Sequence, residues 1–510
     1  MKNKNIISLL ILLMMVNLLS CTDFLDINKD PRYPADADTK MLFASGVAWS
    51  ASRLGRDGQL VCEIWTQHYT QSNSANQYKP IDYYNMANNA GEPTAIWNAM
   101  YRGAIADFKI AIAQAEEADE WNYWLASKVM TAFDFHLMAS FWEKIPFTEA
   151  VQGEDALEPK YDEGKEVDAG IIALLDEAIA KKADANAIKS MEENDFVFGG
   201  NIDNWVKFAK TLKLKIFMRD FAANQTAIQA LLNEGDLLTT ADARMTGFVD
   251  QTNYSNPLYE ADRRALNTSA NLRGSATLIT YLNTYNDPRV ADFFEPAVTE
   301  LDGRTPAPAN TYRGLDQGSA DDFNQSQFPT NAHSRARLAA TDPVYFLSVS
   351  DCYFLQAEAY ARLNNPTLAK ERYNAGVNAA FTRWGYSTAA TFTGAGGAYE
   401  FNAANLDAML NCILTQKWIS TTRCNSWDAF FDINRTGIPA LGSESVNLEA
   451  TPVVPNPDYV VGMLTPSMGS VLPKGEYPRR FLFTKSSSDY NSNTPNADEY
   501  PLTKKMWWHK

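Results

Sequence analysis

Apolar positions along this chain recur with a helical period over most of its length. Trp205, Phe208, Ala209, Leu212 and Ile216 follow one another at three- and four-residue steps, the repeat of one helix face. Lys207, Lys210, Lys213 and Arg219 fall elsewhere, so the segment predicts an amphipathic helix with a core stripe. A similar stripe through Leu125, Val129, Phe133, Leu137 and Phe141 predicts a helix over 121–142. Residues 166–181, 350–363, 366–382 and 405–420 read the same way, and the pattern turns helical from Lys40. Asn365-Pro366 punctuates two of these helices, as in a helix–turn–helix pair. Paired helices of this length predict a mainly α fold: a tetratricopeptide-like scaffold of stacked helix pairs. The period fails over 235–345, 385–400 and 435–500, which are rich in Gly, Pro, Asn, Thr and Ser. Long loops on a rigid helical frame are where binding usually lives. No linker divides the chain into independent domains.

The first residues follow another pattern. Lys2 and Lys4 precede an apolar run, Ile6 to Leu19, broken only by Ser8 and Asn17. The run is shorter than the roughly 20 residues of a spanning helix. It reads as a secretory signal over 1–20. Ser20 followed directly by Cys21 is the lipoprotein variant, in which the thiol takes a diacylglyceryl group before cleavage. Several acyl chains, at about 0.8 kcal/mol per buried methylene, would hold the mature chain 21–510 to a membrane. Residues 21–39, with Asp23, Asp26, Pro31 and Pro34, read as an acidic extended tether.

Composition narrows the function. The 510 residues are 45% hydrophobic and 12% aromatic, ample for one large core. The formal charge of -16 becomes -18 without Lys2 and Lys4, which argues against nucleic acid and anionic lipid as partners. Net charge of this sign favours neutral ligands, or serves solubility alone. Cys62, Cys352, Cys412 and Cys424 show no C-x-x-C spacing, so zinc and thioredoxin-like readings are weak. Cys352 and Cys412 sit in apolar helical patterns as small hydrophobes. A Cys412–Cys424 disulfide stays open in an oxidising compartment. The four histidines are scattered, with no H-E-x-x-H, nucleophile elbow or phosphate loop. No metal or cofactor is expected. His136 reads as a core residue. Glu358 and Asp432 are a tempting carboxylate pair for glycoside hydrolysis, but Arg362 and Arg435 stand ready to hold them as buried ion pairs.

Several segments resemble the SusD/RagB family. Asp351-Cys352-Tyr353-Phe354-Leu355-Gln356-Ala357-Glu358-Ala359-Tyr360-Ala361-Arg362 is similar to its signature helix. Gln416-Lys417-Trp418-Ile419 with the run from Trp427 to Pro439 resembles its second hallmark, and Pro478-Arg479-Arg480-Phe481 with Tyr490-Asn491-Ser492-Asn493 its third. The run Phe141 to Phe147, the helix Trp205 to Leu214 and the closing Met506-Trp507-Trp508 match in the family's order. Trp142-Glu143 stands where many members carry Gly-Asp. The resemblance implies a lipid-anchored protein on the outer face of the outer membrane of Bacteroidetes. It implies a SusC-like TonB-dependent barrel transporter as partner, closed by this chain like a lid. It also implies capture of glycans, in some members peptides, without catalysis. The hallmark motifs are scaffold, so Trp418, Trp427, Trp507 and Trp508 are expected to be buried.

The stretch 65–101 is the expected ligand surface. Sugar rings present apolar C–H faces that pack on aromatic planes, and their hydroxyls suit the donors and acceptors of Asn and Gln. Trp65, Gln67, His68, Tyr69, Asn73, Tyr78, Tyr83 and Tyr84 supply both kinds of group, joined from the central loops by Tyr312 and Arg313. Tyr78, Tyr83 and Tyr84 share a loop with Pro80, which favours exposure. Trp97 and Tyr101, four apart at a helix start, read rather as core, while Trp65 and Tyr69 read equally well as core or platform. Tyr254, Tyr259 and Phe328 are weaker central-loop candidates. A peptide would use the same groups as a glycan.

Overall fold

The computed structural model describes residues 37–510 apart from 88–89, 189–190, 267–270, 320–328 and 449–452. Cys21, the signal, most of the expected tether and Phe328 lie outside the described residues. The helical frame is the one the periodicity predicts. α1 (Thr39–Arg53) begins where Asp38 accepts a hydrogen bond from the Met41 amide at 3.0 Å. A π-helical turn, Leu54–Gly58, leads into α2 (Gln59–Trp65). Glycine is needed at Gly55 of that turn, because a Cβ there would lie 2.3 Å from Val344 Cγ2. α3 (Gly91–Ala99) runs through a second π turn, Met100–Ala104, into α4 (Ile105–Glu117).

α5 (Trp121–Trp142), α6 (Gly164–Ala180), α7 (Ile202–Phe217) and α8 (Phe221–Glu234) follow, each packed on its predecessor, and α4 packs on α1. After α9 (Ala276–Thr284), the second half stacks α10 (Val349–Arg362), α11 (Pro366–Thr382) and α12 (Leu406–Ser420). α13 (Ser426–Thr436) returns the chain to α2. Asn365 caps α11 by accepting from Leu368 N at 3.1 Å, with Pro366 in the first turn, so the expected punctuation is also the cap.

One expectation about α5 needs correction. Its apolar stripe suggested a one-sided helix, yet every residue except Trp121 and Lys128 is buried. Polar residues off the stripe are enclosed too: the buried Asp134 accepts from Ser50 Oγ at 2.8 Å. α5 is therefore the central pillar between the first helices and the C-terminal segments, where Phe141 stacks on Phe481 at 4.4 Å.

Strands are few and short among the described residues. β1 (Tyr69–Gln71), β3 (Leu272–Gly274), β5 (Arg335–Ala336) and β4 (Phe294–Glu295) form one antiparallel sheet in that order. β2 (Ala243–Met245) pairs with β6 (Val344–Leu347). These ladders clip the irregular stretches onto the helices.

The second half is held by buried charge. Lys417 Nζ lies 2.7 Å from both Asp351 and Asp432, and Lys215 Nζ lies 2.7 Å from Asp351 and 2.5 Å from Asp428. Arg435 grips Glu358 with both terminal nitrogens at 2.7 Å and Asp432 at 2.8 Å, while Arg362 Nε holds Glu358 at 2.8 Å. The carboxylates expected to pair with arginine do so, and the cations hold Asp432 and Glu358 below the usual carboxylate range against the opposing effect of burial. His136 is buried, and burial with Arg219 nearby keeps its imidazole neutral, as expected of a core residue.

The cysteines are free, which closes the disulfide question: Cys412 and Cys424 are not joined. Cys412 lies well inside α12 and Cys424 beyond its end. The nine helical residues from Cys412 to Ser420, eight steps apart, alone span about 12 Å, against a reach of roughly 7 Å between bridged Cα atoms. Trp418, Trp427 and Trp508 are buried as expected, and Trp507 is half-buried.

Candidate functional site

The stretch 65–101 folds inward, which corrects the expectation that it forms the ligand surface. Trp65, Gln67, His68, Tyr69, Tyr78 and Tyr84 are buried. Trp65 donates from Nε1 to Ile81 O at 3.1 Å and packs against Phe430 and Phe481. The Gln67 amide donates to Thr465 O at 2.5 Å and accepts from Thr465 N at 2.8 Å and Thr277 Oγ1 at 2.7 Å. His68 Nδ1 lies 2.8 Å from Glu63 Oε2, and Tyr78 donates to Asp262 at 3.0 Å. Tyr84 meets Tyr477 edge-on. The physical reason is general. Segments without a ladder still need partners for buried backbone groups. Side-chain amides suited to sugar hydroxyls are equally suited to peptide groups, and here they serve those of distant loops.

Asp82 is the hub of this region and carries no sequence signal. It is fully buried and accepts from Thr70 Oγ1 and the Gly318 amide at 3.0 Å, from Gln71 N at 3.3 Å and from Gln317 Nε2. Burial pushes its carboxyl up to about 7 against those hydrogen bonds. Trp97 is core, as expected, and the half-buried Tyr101 donates to Pro146 O at 2.7 Å. Asn73 is buried and accepts from Thr330 Oγ1 at 3.3 Å. Tyr83 is half-buried, with Lys79 Nζ 5.0 Å from its ring centre. Tyr312 is half-buried, and Arg313 ties its loop through Thr299 O at 3.0 Å and a pair with Glu300. Tyr83, Tyr312 and Arg313 thus remain partly open to solvent, while the other seven expected residues, Asn73 among them, are buried.

The open binding geometry lies beside this stretch, at the C-terminal end of α1. A cleft of about 760 Å³ runs between α1 with its π turn and the loop after β2. A second, of about 550 Å³, runs between α1 and α3. Arg53 lines both. Large aromatic rings stand in their walls half open to solvent: Phe196 (41% exposed) and Tyr254 (62%) in the first, Trp49 (42%) in the second.

Packing holds Trp49, and fixed turns carry Phe196 and Tyr254. Trp49 rests on Gly103, where a Cβ would come within 2.5 Å of its indole. Phe196 stands on a turn fixed by Asp195, which accepts from the Val197 and Phe198 amides at 3.0 Å and from Trp205 Nε1 at 2.8 Å. Tyr254 closes a tight turn, with its amide donating to Gln251 O and its carbonyl accepting from Val249 N, both at 2.9 Å.

Sequence reasoning reached Tyr254 only as a weaker candidate and missed Trp49 and Phe196. For Trp49 a signal existed. Leu42, Phe43, Val47 and Ser50 form the buried face of α1, and Trp49 falls off it beside Ser45 and Ser52. A large aromatic on the polar face of a helix is the informative kind of exposure. Phe196 lies in an irregular segment and shows no pattern.

No helix among the described residues is long and apolar enough to cross a membrane, and no group of three or more His, Cys, Asp or Glu able to hold a metal occurs among them.

The fold and this surface define a helical binding scaffold of the SusD type. The SusD-like family model described as starch-binding and associating with the outer membrane matches residues 37–456, and the chain belongs to that family. Solved structures agree on the fold. A SusD homologue from Bacteroides uniformis is 22% identical, with TM-score 0.69, over 92% of this chain and 99% of that one. A SusD-like protein from Bacteroides thetaiotaomicron is 22% identical, with TM-score 0.71, over 92% and 98%. A chitin-binding SusD homologue from Flavobacterium johnsoniae is 20% identical, with TM-score 0.70, over 92% and 98%. No curated protein sequence matches the chain.

Proposed function

We propose that this protein binds glycans at the cell surface and delivers them to a TonB-dependent barrel transporter, breaking no bond itself. Membership of the SusD-like family supports the role. The observation that carries the ligand class is the set of solvent-facing rings at the two clefts, Trp49, Phe196 and Tyr254. Each offers a flat apolar face to sugar C–H groups, and Thr94, Asn98 and Asn253 in the same clefts offer polar partners for hydroxyls. Two open clefts that share Arg53 of α1 suit a chain lying across that helix rather than a small molecule enclosed in a pocket. Lipidation at Cys21 would anchor the protein facing outward and raise ligand concentration at the transporter mouth. Glu358 and Asp432, the carboxylates most suggestive of a hydrolase, are bound into ion pairs, which favours transport over catalysis.

A panel of polysaccharides, oligosaccharides and mixed peptides tests the reading. The chain should retain a glycan, and Trp49→Ala or Tyr254→Ala should weaken that binding by on the order of fivefold each without unfolding. Retention of peptides alone would replace the ligand class. Cys21→Ala should move the protein from the membrane fraction to the soluble one, and continued membrane attachment would refute the anchor.

A further inference from the structure

The clefts differ in charge from the rest of the molecule. The chain is acidic, at -16, yet the charged residues lining the two clefts are Arg53, Arg56, Arg102 and a single acid, Glu260. Glu260 lies 3.4 Å from Arg264 Nε, a guanidinium that also pairs with Asp250. Arg53 and Arg56 share one partner, Asp57, at 3.3 and 3.4 Å. A guanidinium has five N–H donors, and the two side chains remain 32% and 47% exposed, so both keep donors facing solvent. Arg102 is exposed on its π turn and forms no ion pair among the described residues.

Within a Debye length of about 8–10 Å the nearest charges decide the field, and more distant acids are screened. Here the guanidiniums of Arg53 and Arg56 stand at the cleft surface, while the carboxylate they share, Asp57, is buried behind them. Asp57 is one carboxylate set against two guanidiniums, so it cannot neutralise both. The forks sit beside flat rings, the combination that suits a ligand with planar or oxyanionic charge on a ring scaffold.

We propose that the cleft pair at the end of α1 selects anionic oligosaccharides, whose carboxylate or sulfate groups are taken by Arg53, Arg56 and Arg102 while their rings lie on Trp49, Phe196 and Tyr254. This rests on the glycan-binding reading above and assigns its substrate class. It reverses the expectation of a neutral ligand drawn from net charge, because net charge describes the whole surface and selection occurs in one groove.

The test compares three tetrasaccharides by calorimetry on the full mature chain: tetragalacturonate (carboxylate only), a carrageenan-derived tetrasaccharide (sulfate only) and neutral galactotetraose. At 20 mM NaCl at least one charged probe should bind tenfold or more tighter than the neutral one, and the margin should shrink at 500 mM NaCl. Arg102→Gln, an exposed substitution with no ion pair to lose among the described residues, should cut charged-probe affinity about five- to tenfold, a larger factor than any loss of neutral-probe affinity, with Arg102→Lys recovering part of the loss. Whichever charged probe binds identifies the anionic group. Equal binding of all three, indifferent to Arg102→Gln, would overturn the anionic assignment and leave the glycan reading standing. Binding of a hexaglutamate peptide in place of every saccharide, or binding of no saccharide, would overturn both.

Discussion

Gln67→Leu separates the two roles open to the amides of the 65–101 stretch. Gln67 is fully buried, and its carboxamide links the α2–β1 turn to the segment at Thr465. Leucine keeps the approximate volume and removes the polar atoms. The amide and carbonyl of Thr465 and the hydroxyl of Thr277 would each lose their bond to this side chain. An unsatisfied buried group costs about 1–3 kcal/mol. Allowing Thr277 to turn to Thr465 Oγ1, 3.4 Å away, the expected loss is about 3–4 kcal/mol. With a urea slope of about 5 kcal/mol/M for a chain of this length, the midpoint should fall by roughly 0.6–0.8 M. Urea titration followed by tryptophan fluorescence reads the shift, and the ligand found in the panel reports on binding below the transition. Ligand affinity should match that of the parent chain. A midpoint within 0.2 M of the parent's together with lost binding would refute the scaffold assignment and return Gln67 to the ligand.

Three further outcomes follow from the core. Asp134 is pushed up to about 8 by burial. Its folded value lies above the unfolded one, so the folded state holds the extra proton and stability declines as pH rises between about 4 and 8. Asp134→Asn should flatten that decline, the gap to the parent chain changing by up to about 1.4 kcal/mol per pH unit, and parallel pH–stability curves would refute it. Arg435→Met leaves Glu358 and Asp432 facing each other without their shared cation and should destabilise the chain by about 3–5 kcal/mol in chemical denaturation, most of it recovered when both acids are also replaced by leucine. Thiol titration of the unfolded, unreduced mature chain should find four free cysteines, and a count of two would mean a disulfide.

Much of the helical frame was legible in the sequence because a period of 3.6 residues is a local property. The helix predicted over 121–142 is α5, residue for residue, and that over 366–382 is α11. Asn365-Pro366 marked both an end and a beginning for the same local reason. Buried charge was legible in part: Glu358–Arg362 is an i, i+4 pair on one helix, and Arg435 lies three residues from Asp432 on another. That these two helices bring their charges together through Arg435 and Glu358 is tertiary information.

The binding surface was the least legible feature. The local aromatic-and-amide composition of 65–101 is the same whether it faces sugar or the inside of the protein. The decision belongs to partners far along the chain: Thr465 for Gln67, Phe430 and Phe481 for Trp65, Asp262 for Tyr78. Conversely, Phe196, Tyr254 and Trp49 lie far apart in sequence and become one surface only because α1, the Asp195 turn and the loop after β2 converge. Sequence alone determined the class of fold and the helices that build it, since each helix is encoded by its own residues. Only the tertiary structure decided which aromatics are core and which face solvent, since burial depends on which distant segment arrives to cover them.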